Sequence, residues 1–386
     1  MHQGGFMNLL IHDLSQEEWD KTGFSQEGWH IISDQGTIHP CTGCFSCWNR
    51  DPGKCAVRDG YENMGYLIHH ADEVVVISRF TYGGFSGFIK NVFDRCLGYV
   101  LPQFEVVDGE THHQKRYAEN KLFTFMFYGP DLTESEKQAA RRYVQAVCAN
   151  IRGTVKDVIF IERRGRKIRH PRKKCTDGKT VLINGSVRFQ NGNSAVLAKE
   201  LSHLLKQEPA VIPLVSYLNH MHDLHQLLEE TEKIVFCIPL YVDGLPSQVI
   251  RFMEYLEKHY RGGSRKIYVL ANMGLYESSQ LVSLFTAVRL WCRKMGFEYC
   301  GGLGISAGEL IGTLKKAVPF RLFPSRKIDQ GMNRLAQAVN AGTVIDDIFA
   351  EPFAFPRSLY LKIANDNWNV TAKQNGIKPE DLYRQL

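Results

Sequence analysis

The chain has 386 residues, enough for two domains that each bury a sizeable core. At 44% hydrophobic and 23% charged it is globular rather than disordered in composition. No apolar run approaches the roughly 20 residues that span a bilayer. The formal net charge of +6 is local in origin, because Arg163 to Lys174 (RRGRKIRHPRKK) holds eight Lys or Arg and no acid. A nucleic-acid binder would spread such charge over a folded face. The segment reads instead as a solvated basic linker, with attraction of an anionic dinucleotide or nucleic acid as the alternative. Met1 to Phe6 shows no secretory n-region, so a cytoplasmic location is expected, and the ten cysteines read as thiols or ligands.

In chain order, Asn8–His12 is a first strand, and Ser15 with Glu18 suggests a short capped helix after it. Next comes Cys41-Thr-Gly-Cys44-Phe-Ser-Cys47, with Cys55 after seven intervening residues. Four thiolates from one compact loop can surround an iron–sulfur cubane or a zinc ion, or serve as unmetallated structural or redox thiols. Val74–Ser78 is a buried strand, Arg79–Ser86 a Gly-rich aromatic loop, and Gly87–Arg95 a helix. His112–Tyr117 falls in an insertion and is expected to be a solvated loop, a nicotinamide or acceptor contact being the alternative. Leu122–Tyr128 and Val155–Ile161 are strands, and between them Thr133-Glu-Ser-Glu136 opens a helix to Asn150 with a capping box.

After the basic segment the plan recurs. Val181–Asn184 is a strand that runs through a Gly/Asn/Ser loop into the helix Ala195–Lys206. Ile234–Ile238 is the next strand, Pro239–Pro246 its loop, and Ser247–Leu256 its helix. Ile267–Ala271, a helix over Ser278–Met295, and Phe297–Ile305 follow. Strands alternating with helices predict α/β architecture: two doubly wound parallel sheets in tandem, with helices on both faces. The expected division is residues 1–162, a linker 163–179, a second domain 180–320, and a C-terminal helical extension 321–386. Cys96, Cys148, Cys237, Cys292 and Cys300 lie on apolar faces and are expected in the core. His220, His222 and His225 read as polar loop residues.

The loop Asn184–Ser194 has the composition that a phosphate dianion needs. Gly185 and Gly192 allow close backbone approach, Ser186, Asn193 and Ser194 supply short donors, Arg188 adds charge, and the helix start offers free amides. It lacks both the Gly-Lys-Ser/Thr ending of a P-loop and the Gly-x-Gly-x-x-Gly of a dinucleotide fold. Asn-Gly-Ser-x-Arg-x3-Gly-Asn-Ser, with the later Pro-x-Tyr-x-x-Gly, resembles the NADPH-dependent FMN reductase branch of the flavodoxin-like superfamily, over about Lys179 to Gly312. The resemblance implies that Gly185–Ser194 hold the FMN phosphate. It also implies that Pro239, Leu240, Tyr241, Val242, Asp243 and Gly244, with Asn272, Met273, Gly274 and Tyr276, flank the isoalloxazine. Val242-Asp243 departs from the hydrophobic residue usual after the loop tyrosine.

The Cys41, Cys44, Cys47 and Cys55 spacing is similar to that of the iron–sulfur flavoproteins, which implies a [4Fe–4S] cluster. FMN-reductase relatives carry a comparable loop that need hold no metal. The first half lacks a Gly/Asn/Ser loop and places Asp13, Glu17 and Glu18 where phosphate would sit, so it is expected to bind no FMN of its own. These readings imply an FMN-dependent oxidoreductase using NAD(P)H, with a small-molecule or protein electron acceptor and no membrane partner. One composite flavin site per chain is expected, within an intrachain pseudo-dimer that a further homodimer would extend. An electron carrier, or a redox- or metal-sensing protein without turnover, is the alternative.

Overall fold

The computed structural model describes residues 7–162, 178–188, 192–308, 326–351 and 356–385. The basic segment expected as a linker lies outside the described residues, as do Cys175 and residues 189–191 of the phosphate-type loop. The chain divides into two compact units, Met1–Lys167 with Ile363–Leu386, and Ile168–Lys362.

In the first unit the elements run β1 (Met7–His12), α1 (Gln16–Asp20), β2 (Trp29–Ser33), α2 (Ser46–Asn49), α3 (Met64–His70) and β3 (Ala71–Arg79). They continue with α4 (Gly87–Asp94), β4 (Val100–Val107), β5 (Glu110–Lys115), β6 (Leu122–Gly129), α5 (Glu134–Asn150) and β7 (Thr154–Glu162). Its parallel sheet has the order β2-β1-β3-β6-β7. Leu9, Leu10 and Ile11 are fully buried in consecutive positions, the sign of a strand covered on both faces. Phe123, Phe125 and Phe127 alternate along β6, and the last two meet the ring of Phe85 at 5.7 and 5.9 Å. Both expected caps form: Ser15 with Glu18 on α1, and Thr133 with Glu136 on α5.

The insertion at His112 is not a solvated loop. It is the antiparallel hairpin β4–β5, in which Thr111 and His112 are buried, followed by the buried Arg116 and Tyr117. Only Gln103–Val106 alternates polar and apolar residues, and Glu110–Lys115 (ETHHQK) contains no apolar residue, so periodicity does not reveal this hairpin.

The second unit contains β8 (Lys179–Asn184), α6 (Asn193–Leu204), β9 (Ala210–Pro213), α7 (Met221–Glu229), β10 (Thr231–Pro239) and α8 (Ser247–His259). β11 (Lys266–Asn272), α9 (Val282–Met295), β12 (Glu298–Ile305), α10 (Arg326–Ala341), β13 (Ile348–Ala350) and the start of α11 (Arg357–Gln374) follow. Its sheet has the order β13-β12-β11-β10-β8-β9, all parallel. Setting aside the hairpin and the added edge strand β13, both sheets follow the flavodoxin-like order 2-1-3-4-5.

Residues after 320 do not form a helical extension of their own. Ile328, Met332, Leu335 and Val339 repeat at helical spacing and are buried against Leu197 and Leu201 of α6 and Leu303 of β12. Tyr268 of β11 donates to the carbonyls of Ala338 and Thr343 at 3.1 and 3.0 Å, tying α10 to the sheet. β13 then extends the same sheet, so 326–350 complete the second unit, whereas 363–385 pack in the first. The five isolated cysteines are buried as expected.

Candidate functional site

In each sheet the order reverses at the first strand, so a crevice opens beyond the carboxyl ends of the first and third strands. In the second unit these are β8 and β10. The chain leaves β8 through Gly185, whose amide donates to Cys237 O at 3.0 Å and whose carbonyl accepts from Gln248 Nε2 at 2.6 Å. A Cβ on Gly185 would meet Ile238 Cγ2 at 2.5 Å and Val249 Cγ2 at 2.6 Å, so only glycine fits. Asn184 Oδ1 accepts from the Ser186 amide at 3.0 Å, and Ser186 Oγ from the Arg188 amide at 3.3 Å. This winds the loop into successive short turns. A Cβ on Gly192 would come within 2.8 Å of Ser186 Oγ, so the two ends of the loop close on each other.

Gly192 caps α6 with extended backbone, and among the described residues no side chain caps the helix start, whose amides favour an anion. Ser186 and Ser194 are buried, Asn193 is half-buried and Arg188 exposed. Asn193 Nδ2 donates to Gly308 O at 2.6 Å, and Asn272 Nδ2 donates to Ser194 Oγ at 2.7 Å. Asn272, at the end of β11, thereby holds the serine at the helix start. Its contact with Ser194 is set by strand register, and nothing local in the sequence reveals it.

The loop after β10 is a two-residue turn. Tyr241 and Gly244 exchange amide–carbonyl bonds at 3.1 and 3.0 Å, and Val242 (φ 38°) and Asp243 (φ 56°) both take left-handed backbone. A β-branched residue in that region is an outlier and stores strain. Tyr241 and Val242 are half-buried, whereas Asp243 is 2% exposed. Leu240 N donates to Asn272 O at 2.8 Å, so the loop and the β11 end are fixed together. Beyond β11, Met273 is buried and Gly274 carries its carbonyl to the Tyr360 hydroxyl. Tyr276 packs at 5.7 Å from the Tyr360 ring, and burial pushes its hydroxyl pKa up, with Glu351 and Glu277 adding to the rise and Arg357 opposing it.

The first unit repeats the turn but not the cradle. Thr81 and Gly84 exchange bonds of 3.0 Å around Tyr82 (φ 51°) and Gly83 (φ 86°). The aromatic thus occupies a corner of the turn in one unit and precedes it in the other, a one-residue offset that composition does not reveal. Where β8 is followed by Gly185, β1 is followed by Asp13. Both carboxylate oxygens of Asp13 accept from the Arg79 amide at 3.0 Å, at the end of β3. Pro239 ends β10 and has no N–H to offer there. Burial pushes the Asp13 carboxyl up in pKa, opposed by the Ser86 hydroxyl and by Arg79. A carboxylate of the protein itself therefore fills the anion position of the first sheet.

The four-cysteine loop lies between β2 and α3. Phe45 (φ 56°) turns the chain into the single-turn α2, and a Cβ on Gly98 would meet Gly53 O at 2.5 Å, so the loop lies directly on the segment before β4. Cys44 is exposed; Cys41, Cys47 and Cys55 are half-buried. Burial pushes the Cys41 thiol up to about 12, with Asp94, Cys55 and Cys44 adding to the rise and the Gly43 amide opposing it. Cys47 is pushed up first by burial and then by the other three thiols. The four sulfurs thus feel one another, yet among the described residues no group of three or more His, Cys, Asp or Glu is arranged to hold a metal ion.

Arg95 fixes the two ends of this loop, donating to His39 O at 3.3 Å, Val57 O at 2.9 Å and Asp59 Oδ2 at 2.5 Å. Burial opposes the Asp59 carboxylate, but Arg95 and the His39 amide carry its pKa below the ordinary carboxylate value. Sequence reasoning missed Arg95, an arginine at the end of an apolar helix. His220, His222 and His225 are not in a loop: His220 precedes α7, and His222 and His225 lie on it, His222 exposed and paired with Asp223 at 2.8 Å.

No protein-family profile matches the chain. An iron-sulfur flavoprotein of Archaeoglobus fulgidus is 32% identical over 87 residues, 22% of this chain. The match spans 38% of that relative's length. An FMN-dependent NADH-azoreductase from Bacillus anthracis, solved in complex with FMN, aligns over 43% of this chain and 99% of its own, at 14% identity and a TM-score of 0.31. The Trp repressor binding protein of Bacillus subtilis aligns over 33% and 84%, at 20% identity and a TM-score of 0.28.

Proposed function

We propose that the second unit binds FMN and uses it to accept hydride from NADH or NADPH, passing the electrons to a small-molecule or protein acceptor. The observation that carries this reading is the cradle at the switch point. Gly185 packs on Ile238 and Val249, and Gly192 on Ser186 Oγ, with no space for a Cβ, so the loop closes tightly in front of a helix start that no described side chain caps. A phosphate monoester suits that position, because the free amides of Asn193 and Ser194 and the hydroxyls of Ser186 and Ser194 are all donors. Arg188 adds positive charge from the exposed rim.

In this reading Asn272 is a positioning residue that keeps the Ser194 hydroxyl at the helix start. Tyr241 and the strained turn at Val242–Asp243 line the ring end of the crevice, with the Met273–Gly274 backbone opposite. Bound FMN would supply two-electron chemistry toward nicotinamide and one-electron chemistry toward an acceptor. The chain's own part is to orient the cofactor, to exclude water with Leu240 and Met273, and to present backbone dipoles to it.

The test is a pair of buried charges. Ser186→Asp with Ser194→Asp places two carboxylates where the phosphate would sit, and FMN retention is expected to fall at least about a hundredfold, a loss on the order of 3 kcal/mol. Unchanged flavin content in the folded variant rules the cradle out. Rapid bleaching of the bound flavin by NADH or NADPH supports turnover. Reduction by a low-potential protein donor alone assigns an electron carrier instead.

A further inference from the structure

Residues 363–385 pack in the first unit, although the strand before them in that unit, β7, ends at Glu162, 201 residues earlier in the chain. Their contacts fall on two neighbouring places, the four-cysteine loop and the β4–β5 hairpin. Trp368 is 5% exposed and stands edge-on to Phe45 at 5.5 Å and to Trp48 at 5.3 Å, the two aromatics inside the cysteine motif. Trp48 is itself anchored, its indole N–H donating to Leu97 O and Val100 O at 2.8 and 3.0 Å. Arg50 Nε donates to Asn375 Oδ1 at 3.0 Å, and Arg384 pairs with Asp51 at 2.9 Å and reaches Pro52 O at 3.3 Å. On the hairpin, Asn365 exchanges two bonds with the main chain of Phe104, at 2.7 and 3.0 Å.

Arg116 joins the two sets. It is 4% exposed and, among the described residues, no carboxylate pairs with it. Its guanidinium donates to Gly98 O, Leu382 O and Arg384 O, each at 2.7 Å, and Gln385 Nε2 donates back to its carbonyl at 3.0 Å. Burial pushes its pKa down to about 10, and the nearby Tyr117 and Cys47 oppose that shift. It therefore stays charged near neutral pH, beside Cys47 and beneath the chain end.

We propose that residues 363–385 form a strap that closes the four-cysteine loop, with Trp368 as its wedge and Arg116 as its pin, and that Cys41, Cys47 and Cys55 become accessible to reagents and redox partners when the strap lifts. Cys44 is already exposed, whereas Cys41, Cys47 and Cys55 are half-buried. The contacts grade from fixed to loose. Arg116 and Trp368 are buried, whereas the Asp51–Arg384 pair at the rim is 40% and 51% exposed and holds weakly. The main chain of the same end is held by Arg116 on Leu382 O and Arg384 O, so lifting the strap requires that pin to release. This inference stands whether or not the second unit binds flavin.

The test is amide hydrogen exchange of the full-length protein, read by mass spectrometry on peptides covering 45–55, whose amides are bonded within the loop. Trp368→Ala is expected to speed exchange there about tenfold or more, because it removes two aromatic contacts and the packing around them. Arg384→Ala is expected to speed it only a few-fold, and the charge-swapped pair Asp51→Arg with Arg384→Asp to restore most of that. Peptides of β1 and β3 are expected to be unchanged. In parallel, alkylation of the reduced, chelator-treated protein is expected to reach Cys41, Cys47 and Cys55 faster in Trp368→Ala, with Cys44 unaffected. Unaltered loop exchange in Trp368→Ala, acceleration spread evenly through the unit, or unaltered alkylation would each overturn the proposal.

Discussion

Asp13 and Gly185 each follow the first strand of a parallel sheet, and the difference between them separates a filled anion position from an open one. Asp13 turns its carboxylate onto the Arg79 amide, whereas Gly185 has neither a side chain nor, in Pro239, an amide to bind. Ser186, Gly192, Asn193 and Ser194 were legible in the sequence because small polar residues at a strand-to-helix junction have one strong physical use. The Ser194 contact of Asn272 and the loop contacts of Arg95 were not, since they are set by register and by a helix end rather than by neighbours in sequence.

Buried histidines give this scale its pH dependence. His113 sits against the rings of Trp48 and Phe104 at 4.8 Å, and burial pushes its pKa down to about 4. His12, stacked on Trp19 at 4.4 Å, is likewise pushed down to about 4. An unfolded histidine titrates near 6.5, so between the two values the unfolded chain holds more protons and stability rises with pH. The contribution is complete above about pH 6.5 and is lost as pH falls toward 4, on the order of 1–3 kcal/mol per histidine. Urea denaturation followed by tryptophan fluorescence should show the first unit less stable at pH 4.5 than at pH 7.5, and His113→Phe should shrink that difference. An identical loss in the variant would remove His113 from the account.

At the scale of elements, periodicity and capping read well where each element carries its own signal. Thr133 with Glu136 announced α5, and both reciprocal bonds form, the Thr133 amide to Glu136 at 2.8 Å and the Glu136 amide to Thr133 Oγ1 at 3.3 Å. Thr133→Ala should lower the stability of the first unit by about 1 kcal/mol, and a change near zero would show the cap to be solvated in solution. β13 is three residues long and carries no readable alternation. α10 has a clear apolar stripe, but a stripe does not say which sheet it covers. Its burial on α6 and β12 makes it the missing helix of the second sheet rather than part of an appendage. The segment 363–385 was unreadable for a related reason: its polar residues, among them Asn365, Asn375 and Arg384, serve partners more than two hundred positions away.

At the scale of the whole molecule, two sheets of one strand order carry different equipment. The first holds the four-cysteine loop and turns Asp13 onto the Arg79 amide; the second has the tight Gly185–Ser194 loop at the corresponding place and, among the described residues, no cysteine loop. The fold class followed from the alternation of apolar strands and helices, because parallel strands buried on both faces leave continuous apolar runs. Among the described residues no helix is long and apolar enough to cross a membrane. The account rests on the cradle being a flavin phosphate site. The most direct test is the flavin content of anaerobically purified protein, with iron and labile sulfide assayed on the same sample. One FMN per chain is predicted, with the iron and sulfide values then assigning the cysteine loop as cluster-bearing or as free thiols. Absence of FMN even after reconstitution would contradict the central claim.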